Sequence, residues 1–385
     1  MPNPHSVEAA IAWVDAAVHC LDGEDVPLQA GRGRALTHGI RAVGPIPAGN
    51  RAARDGFAVV ASASIGASSY NPVRLPLIVV AAGDALPPGT DAVVSLEVAE
   101  PDGQTFIEVI EAVAAGDNVE QQGAIAPAGA MLVRGGMRLA ARHVGLLASA
   151  GLSAIPVVRR PHVRILAVKP GKTGASEDSN GPMIRVAVER DGGVVKECGT
   201  LERDRSAIAA ALAKSGADIA LLIGGTGSGT DDHSAAAVAE AGELSIHGVA
   251  LRPGETASLG RTASGLPIVL LPGPAAACLW SYELLAGRAI RRLAGRSPEL
   301  PYRTREMTTA RKVVSSLGMT EIFPVQCGPG DTVEPLPSFT ETGLMGAVAA
   351  DGFVIVPQGS EGFPQGARIT VYLYGDAEAT AGFLP

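Results

Sequence analysis

The sequence is poor in aromatic residues and in charge. Of its 385 residues, 4% are Phe, Trp or Tyr and 18% are charged, and the formal net charge is −8. Single-stranded nucleic acids bind to aromatic stacking platforms in basic grooves, and an acidic chain repels nucleic acids and anionic membranes. We therefore expect neither partner. An anionic small ligand would need a local pocket that is basic or rich in N–H groups.

Cysteine is scarce as well, and no leader segment is evident. The four cysteines lie far apart and form no C-x-x-C pair, which is typical of reduced thiols in a cytosolic protein. The N-terminus lacks a basic segment followed by an apolar run. The longest apolar stretch, 144–158, is interrupted by glycine, serine and proline, so it does not resemble a membrane span. These features predict a cytoplasmic protein.

The chain is instead rich in glycine and proline, with 48 and 28 residues, and 46% of it is hydrophobic. This composition is typical of a packed protein with many short strands and tight turns. A chain of this length usually exceeds what one core covers, so we expect several domains.

The residue pattern divides the chain into five segments. We predict a helical and linker segment over 1–43 that packs with 128–160, and the latter completes the first domain. Short strands and turns over 44–127 predict an inserted β-module. Over 161–296 strands alternate with helices, which indicates an open, mostly parallel α/β sheet. Residues 297–385 return to strands and predict a small β-domain.

The junction after the apolar strand Asp218–Ile223 is the most informative stretch. Its loop consists of Gly224, Gly225, Thr226, Gly227, Ser228 and Gly229. The acidic pair Asp231 and Asp232 follows and opens a predicted helix. Glycine N–H groups can approach a ligand closely, and a helix N-terminus favours negative charge. The junction therefore predicts an anion site, although a tight turn without a ligand is the alternative. The glycine spacing matches neither G-x-G-x-x-G nor GxxxxGK[ST].

Two other strand ends are expected beside this loop. Ligands of open α/β sheets bind outside the carboxyl ends of the strands. Those ends carry residues 169–173, 224–229 and 271–274. The third contains Pro272 and Gly273 and is again a junction from strand to helix, so two helix N-termini could converge on one crevice.

A series of motifs along nearly the whole chain points to one family. In chain order they are RAARDGFAVVA (51–61), GDALPPGTDAVVSLE (83–97), GLLASAGLSAIPVVRRPHVRIL (145–166), DSNGPM (178–183), HGVALRPG (247–254), LLPGP (270–274) and GLMGAVAADGFVIVP (343–357). In this order they resemble the motifs of the molybdopterin molybdenumtransferase family, the MoeA and gephyrin type.

This resemblance implies a fold and an activity. The fold is multidomain α/β plus β, with an open, mostly parallel α/β molybdopterin-binding domain, an inserted β-module and a small β-barrel-like C-terminal domain. The α/β domain would bind molybdopterin or its adenylated form. A bound divalent metal such as Mg²⁺ would help to cleave the adenylate with release of AMP, and molybdate would be inserted into the dithiolene. The family also implies a homodimer.

The resemblance assigns roles to particular residues. Asp55 and Asp232 would be the catalytic acids and the ligands of Mg²⁺. The binding residues would be the glycine loop together with Ser179, Asn180, Arg252, Pro272 and Gly273. Structural alternatives exist for several of them. Asp232 could cap its helix, Asp55 could be a turn residue, Arg252 could lie in a surface turn, and Ser179 and Asn180 could cap a helix.

The departures from the family pattern fall on charged positions. Two family carboxylates are missing in 123–126, and Arg203 stands where the family has the first acid of a pair that survives only as Asp204. Glu255 replaces a family cation. The loop at 169–177 is basic where the family is acidic, although Glu177 or Asp178 could partly compensate.

Two functions follow. One is an enzyme that inserts molybdate. The other is a catalytically reduced paralogue that binds molybdopterin or the molybdenum cofactor and delivers it to a particular molybdoenzyme apo-protein.

Overall fold

The computed structural model describes residues 4–169, 180–227, 229 and 232–375. The chain forms two compact units, one from 24–157 and one from 1–23 together with 158–385. We call them the inserted unit and the main unit. The finer boundaries within each unit stay predictions. No helix in the described ranges is long and apolar enough to cross a membrane.

The main unit begins with helix α1 (Val7–Ala17). Ser6 Oγ accepts a hydrogen bond from the Ala9 N–H at 3.1 Å, which is the N-cap that the sequence predicts. The buried face of α1, which includes Val14, packs into the same core as one face of the α/β sheet.

The inserted unit consists mainly of short antiparallel strands, as its turn-rich sequence predicts. Its strands and helix are β1 (Gly23–Pro27), β2 (Ile40–Arg41), β3 (Arg51–Ala52), β4 (Gly56–Val59), β5 (Val73–Pro76), β6 (Val79–Val80), β7 (Ala92–Ser95), β8 (Ala99–Asp102), β9 (Phe106–Val109), β10 (Val119–Glu120), β11 (Met131–Val133), α2 (Ala141–Ser149) and β12 (Ala154–Val158). The first and last of these strands reach the boundary with the main unit. Strand β4 pairs with β6 and β7, and β9 pairs with β5 and β8. These two sheets surround a core that contains Phe57, Val94 and Ile107.

The α/β part of the main unit alternates strands and helices. Its elements are β13 (His162–Val168), α3 (Asn180–Asp191), β14 (Val194–Leu201), α4 (Arg205–Leu212), β15 (Ile219–Ile223), α5 (Ser234–Ala241), β16 (Gly242–His247), β17 (Leu251–Arg252), β18 (Ser258–Thr262), β19 (Pro267–Leu271), α6 (Ala275–Ser281) and α7 (Gly287–Leu293). A π-helical turn at Tyr282–Ala286 joins α6 to α7, which makes one long helix as predicted.

The sheet has the strand order β14-β13-β15-β19-β18-β16. The first four strands are parallel, and β18 and β16 are antiparallel. Leu221 and Ile223 face one core and Ala220 and Leu222 face the other, so β15 is buried on both sides. The predicted open, mostly parallel sheet is confirmed. The pattern missed β18 because its short SLGRT sequence includes glycine and an exposed arginine.

The C-terminal part closes into a barrel. Its elements are β20 (Arg303–Thr309), β21 (Val313–Val314), β22 (Thr320–Gly328), β23 (Thr332–Pro335), α8 (Phe339–Thr342), α9 (Leu344–Ala349), β24 (Gly352–Val356), β25 (Gly362–Phe363) and β26 (Arg368–Leu373). Strand β22 pairs with both β23 and β24, and β20 and β26 complete a ring of five strands. The predicted barrel-like domain is therefore confirmed.

Candidate functional site

The carboxyl ends of three parallel strands define a crevice in the main unit. Strands β13, β15 and β19 run side by side, so their last residues lie at one edge of the sheet. The Gly224 N–H donates to the Leu271 carbonyl at 2.9 Å. A Cβ atom placed on Gly273 would lie 3.9 Å from the Gly224 Cα. The glycine loop and the second junction therefore meet at this edge.

The first residues of the glycine loop require glycine. Gly224 and Gly225 have φ values of +85° and +63°, in the left-handed region. Ser234, the first residue of α5, donates from Oγ to the Gly224 carbonyl at 2.7 Å and from its N–H to the Gly225 carbonyl at 3.1 Å. A Cβ atom on Gly225 would lie 2.7 Å from Ser234 Oγ. These contacts hold the loop against the start of the helix.

Two further segments join the crevice. Asn180 Nδ2 donates to the Gly273 carbonyl at 2.8 Å, and Thr226 Oγ1 lies 2.8 Å from Thr256 Oγ1. Pro272 is buried, whereas Gly273 is exposed. Backbone amides, hydroxyls and a carboxamide thus surround one edge of the sheet, and this set of groups can bind an anion.

Two predicted binding residues, Ser179 and Ser228, lie outside the described residues, as do Glu177, Asp178 and Asp231. Gly227 and Gly229 are described and lie close to an acid. Cβ atoms placed on these two glycines would lie 2.5 and 3.2 Å from Asp232 Oδ2. Gly227 and Gly229 therefore lie close against the Asp232 carboxylate.

Asp232 has a cationic partner within the chain. Its Oδ1 accepts a hydrogen bond from Arg203 Nη2 at 2.7 Å, and its Oδ2 accepts one from the Gly229 N–H at 3.3 Å. The exposed fractions of the Asp232 and Arg203 side chains are 17% and 30%. His233 is the N-cap of α5, so Asp232 does not hold the capping position that we considered as its alternative role.

Arg252, the predicted phosphate contact, is also paired. Its Nε donates to Glu255 Oε1 at 3.0 Å, and its Nη1 donates to Ser316 Oγ at 3.0 Å. Lys169, at the end of β13, forms an ion pair with Glu202. These charged side chains near the strand ends therefore have partners in their own unit.

Asp55 belongs to the inserted unit. Its Oδ1 accepts a hydrogen bond from the Ala82 N–H at 2.7 Å, and its side chain is exposed. A cavity of about 740 Å³ in the same unit is lined by residues that include Arg51 and Glu120. Arg51 Nε donates to Glu120 Oε2 at 2.7 Å, and this hydrogen bond raises the pKa of the guanidinium. The predicted catalytic role of Asp55 stays a prediction.

The described acids do not fit a resident Mg²⁺ ion. This cation prefers octahedral coordination by several oxygen atoms. The described ranges contain no group of three or more His, Cys, Asp or Glu side chains that could hold a metal. Asp232 is paired with Arg203, and Asp204 caps α4 by accepting a hydrogen bond from the Ala207 N–H at 2.8 Å.

Two contributors to this site were not predicted from the sequence. Thr256 links its own loop to the glycine loop through its contact with Thr226. The sequence indicates this role only by a hydroxyl side chain shortly after the RPG turn. The role of Arg203 as the counter-ion of Asp232 was also missed. Its signal is a reversal of charge, since arginine stands where the family has an acid.

Comparisons with known proteins agree with this architecture. A model of the MoeA N-terminal region (domain I and II) matches residues 5–151. A model described as a probable molybdopterin binding domain matches residues 161–292. A model of the MoeA C-terminal region (domain IV) matches residues 306–374.

Full-length relatives extend the similarity. The molybdopterin molybdenumtransferase of Bacillus subtilis is 26% identical over 397 residues, which cover 91% of this chain and 89% of that protein. The Staphylococcus epidermidis protein of the same name is 26% identical over 409 residues, which cover 96% of both chains. A crystal structure of the molybdopterin biosynthesis MoeA protein from Pyrococcus horikosii has a TM-score of 0.76 and 26% identity, and the match covers 97% of this chain and 99% of that one. With three family models matched in the order that its motifs predict, this chain belongs to the MoeA family.

Proposed function

We propose that this protein acts in molybdenum cofactor biosynthesis as a molybdopterin molybdenumtransferase. The observation that carries the proposal is the convergence of Asn180, the glycine loop and Gly273 at one sheet edge. That edge lies within the segment matched by the molybdopterin-binding model. The family names of the relatives support the same conclusion.

The crevice suits a phosphorylated pterin. Backbone N–H groups of a glycine loop and the N-terminus of the helix that follows it favour a phosphate group. The hydroxyls of Thr226 and Thr256 and the Asn180 carboxamide add neutral donors and acceptors. The exposed Gly273 has no side chain, so a ligand can approach its backbone closely.

In the reaction that we propose, molybdopterin enters as its adenylate. Water breaks the P–O–P bond between the pterin phosphate and the adenylyl group, which releases AMP and leaves the phosphate on the pterin. The two dithiolene sulfur atoms replace oxygen atoms of molybdate, which leave as water, and the molybdenum cofactor is the product. The predicted requirement for Mg²⁺ has no ligand set among the described residues, so we propose no step through a resident metal ion.

A second function is supported by the altered charges. Arg203 and Glu255 both reverse the sign that the family pattern has, and each is paired with a residue of the predicted site. These pairs favour a catalytically reduced protein that binds molybdopterin or the finished cofactor and delivers it to a molybdoenzyme apo-protein.

We also propose that the protein works as a homodimer in the cytoplasm. The resemblance to the family supports the dimer. The small number and wide spacing of the four cysteines support a reducing compartment.

The two functions are separated by one assay. Purified protein is mixed with adenylated molybdopterin and molybdate, and both bound pterin and released AMP are followed. AMP release that depends on molybdate would support the transferase, and tight binding without release would support the carrier. If neither binding nor release occurred, both functions would be rejected.

A matched pair of variants locates the binding site. Asn180→Ala removes a hydrogen bond at the crevice and is expected to weaken pterin binding about fivefold to tenfold. Arg311→Ala, at an exposed ion pair of the barrel, is expected to leave binding unchanged. Equal binding by both variants would place the ligand elsewhere.

A further inference from the structure

We propose that the Arg203 guanidinium takes the place of a divalent cation at Asp232, so that the crevice binds its anionic ligand without a metal ion. This inference rests on the proposed function, because it concerns how the same crevice holds the phosphate of its ligand. It assigns a binding role to Arg203, which no motif of the resemblance provides.

Both oxygens of the Asp232 carboxylate already accept a hydrogen bond from within the chain. Oδ1 of Asp232 is 2.7 Å from Arg203 Nη2, and Oδ2 accepts the Gly229 N–H at 3.3 Å. Gly227 and Gly229 lie so close that a Cβ atom on either would crowd Oδ2. The guanidinium repels a divalent cation at such distances, which lowers the affinity of this carboxylate for a metal.

The two acids next to Arg203 in the sequence are engaged elsewhere. Glu202 forms an ion pair with Lys169, and Asp204 Oδ1 accepts the Ala207 N–H at the start of α4. Asp204 therefore stabilises a helix N-terminus. Among the described residues no further acid joins Asp232 in a cluster that could hold a metal.

The Arg203 guanidinium has hydrogen-bond donors left for a ligand. An arginine side chain has five N–H donors in a rigid fork. Arg203 Nε is buried and has no hydrogen-bond partner among the described residues. A buried donor without a partner is costly, and because the side chain as a whole is 30% exposed, a phosphate oxygen of the ligand can approach the guanidinium. Asp232 would hold the fork in place while the ligand occupies the remaining donors.

The packing of two helices explains how this arrangement arises. Arg203 lies just before α4 and Asp232 just before α5, and these helices pack side by side. Both residues are therefore brought to the same edge of the sheet as the glycine loop. A guanidinium at this point is fixed by the fold and needs no free metal in solution.

The first test measures metal binding by itself. Mn²⁺ is titrated into the full-length protein and followed by electron paramagnetic resonance, for wild type, Asp232→Ala, Arg203→Asp and the control Arg205→Ala. Arg205 lies on α4 and pairs with Glu240 away from the glycine loop. We expect no Mn²⁺ site in the wild type that depends on Asp232, and an affinity at least about tenfold higher in Arg203→Asp, where two acids would face each other. A wild-type Mn²⁺ site that disappears in Asp232→Ala would overturn the proposal.

The second test measures anion binding with inorganic pyrophosphate as the probe. Calorimetric titrations are done with and without a chelator. We expect the affinity of the wild type to be unchanged by the chelator, and the affinity of Arg203→Ala to be about tenfold lower. Arg203→Lys keeps the charge but loses the fork and is expected to fall between them, whereas Arg205→Ala should bind like the wild type. Loss of binding with the chelator, or equal binding by Arg203→Ala, would contradict the role of Arg203.

Failure of this inference can be told apart from failure of the proposed function. If adenylated molybdopterin does not bind, the function is rejected while the Mn²⁺ titration still reports on the site. If the pterin binds but the wild type holds Mn²⁺ through Asp232, only the inference is rejected. Thermal unfolding of each variant checks that it is folded, and Arg203→Gln replaces Arg203→Asp if the latter is not.

Discussion

Two arginine–aspartate pairs of the main unit consist of the same functional groups. They differ in how deeply they are buried and in whether the arginine Nε has a hydrogen-bond partner. Asp191 and Arg291 are 1% and 4% exposed, and Asp191 Oδ2 also accepts the hydroxyl of Tyr282 at 3.0 Å. Asp232 and Arg203 are 17% and 30% exposed, and the Nε of Arg203 has no partner in the described ranges. The difference teaches that a saturated buried pair is a structural element, whereas an incomplete pair at a sheet edge has donors left for a ligand.

The buried pair is part of a larger network under the long C-terminal helix of the α/β part. Arg190 donates to both carboxylate oxygens of Glu283 at 2.7 and 2.9 Å. Glu283 lies in the π-helical turn. Burial, with Asp191 nearby, raises the pKa of the Tyr282 hydroxyl, which therefore stays protonated and donates. Removal of one member of such a network leaves an uncompensated charge in the core.

The largest effect is expected for Asp191→Ala. This change leaves the Arg291 guanidinium buried without its carboxylate, and we expect the free energy of unfolding to fall by about 3–5 kcal/mol. Urea unfolding measures the loss. The matched control is Asp331→Asn, at an exposed pair with Arg305, where asparagine tolerates the positive φ of this residue and the change should cost less than about 1 kcal/mol. Similar losses in the two variants would remove the distinction between buried and exposed pairs.

An intermediate effect is expected for Asp15, which joins α1 to α7. Arg288 contacts both its carboxylate oxygens at 2.8 Å, and this hydrogen bonding is the main reason that the pKa of Asp15 is lowered. The stabilisation is therefore present above the unfolded-state pKa of about 4 and is lost as the pH falls through the lower folded-state pKa.

The corresponding test compares the wild type with Asp15→Asn across pH. Near pH 6 the variant is expected to be less stable by about 0.5–1 kcal/mol, and the difference should shrink towards zero as the pH falls to about 2. Thermal unfolding of both proteins in matched buffers gives the difference directly. A gap that stays constant with pH would show that the Asp15 charge does not cause it.

The smallest effect on stability is expected for Asp232→Ala. The pair is partly exposed, so the free energy of unfolding should fall by no more than about 1 kcal/mol. The stabilisation gained on addition of adenylated molybdopterin should nevertheless decrease, because Arg203 loses the group that positions it. Thermal melts with and without the ligand separate the two effects. A collapse of the melting temperature with unchanged ligand affinity would make Asp232 a structural residue.

Much of the architecture was accessible from sequence patterns. The Ser6 cap, the doubly buried strand β15 and the glycine junction all follow from residues that are neighbours in the chain. The antiparallel strand β18 was missed because its apolar pattern is weak, and the π-helical turn was missed because its residues fit a regular helix equally well. The convergence of Gly224 with Gly273 was predicted as a possibility, since parallel strands share one carboxyl edge.

The sequence by itself determined the family, the classes of the domains and the position of the glycine loop. These properties depend on local periodicity and on backbone conformations that only glycine adopts easily. Only the tertiary structure decided which charges meet. Arg203 and Asp232 are 29 residues apart, and their pairing depends on how α4 and α5 pack on the sheet. A charge has no preferred partner along the chain, so its role is fixed by the neighbours that the fold provides.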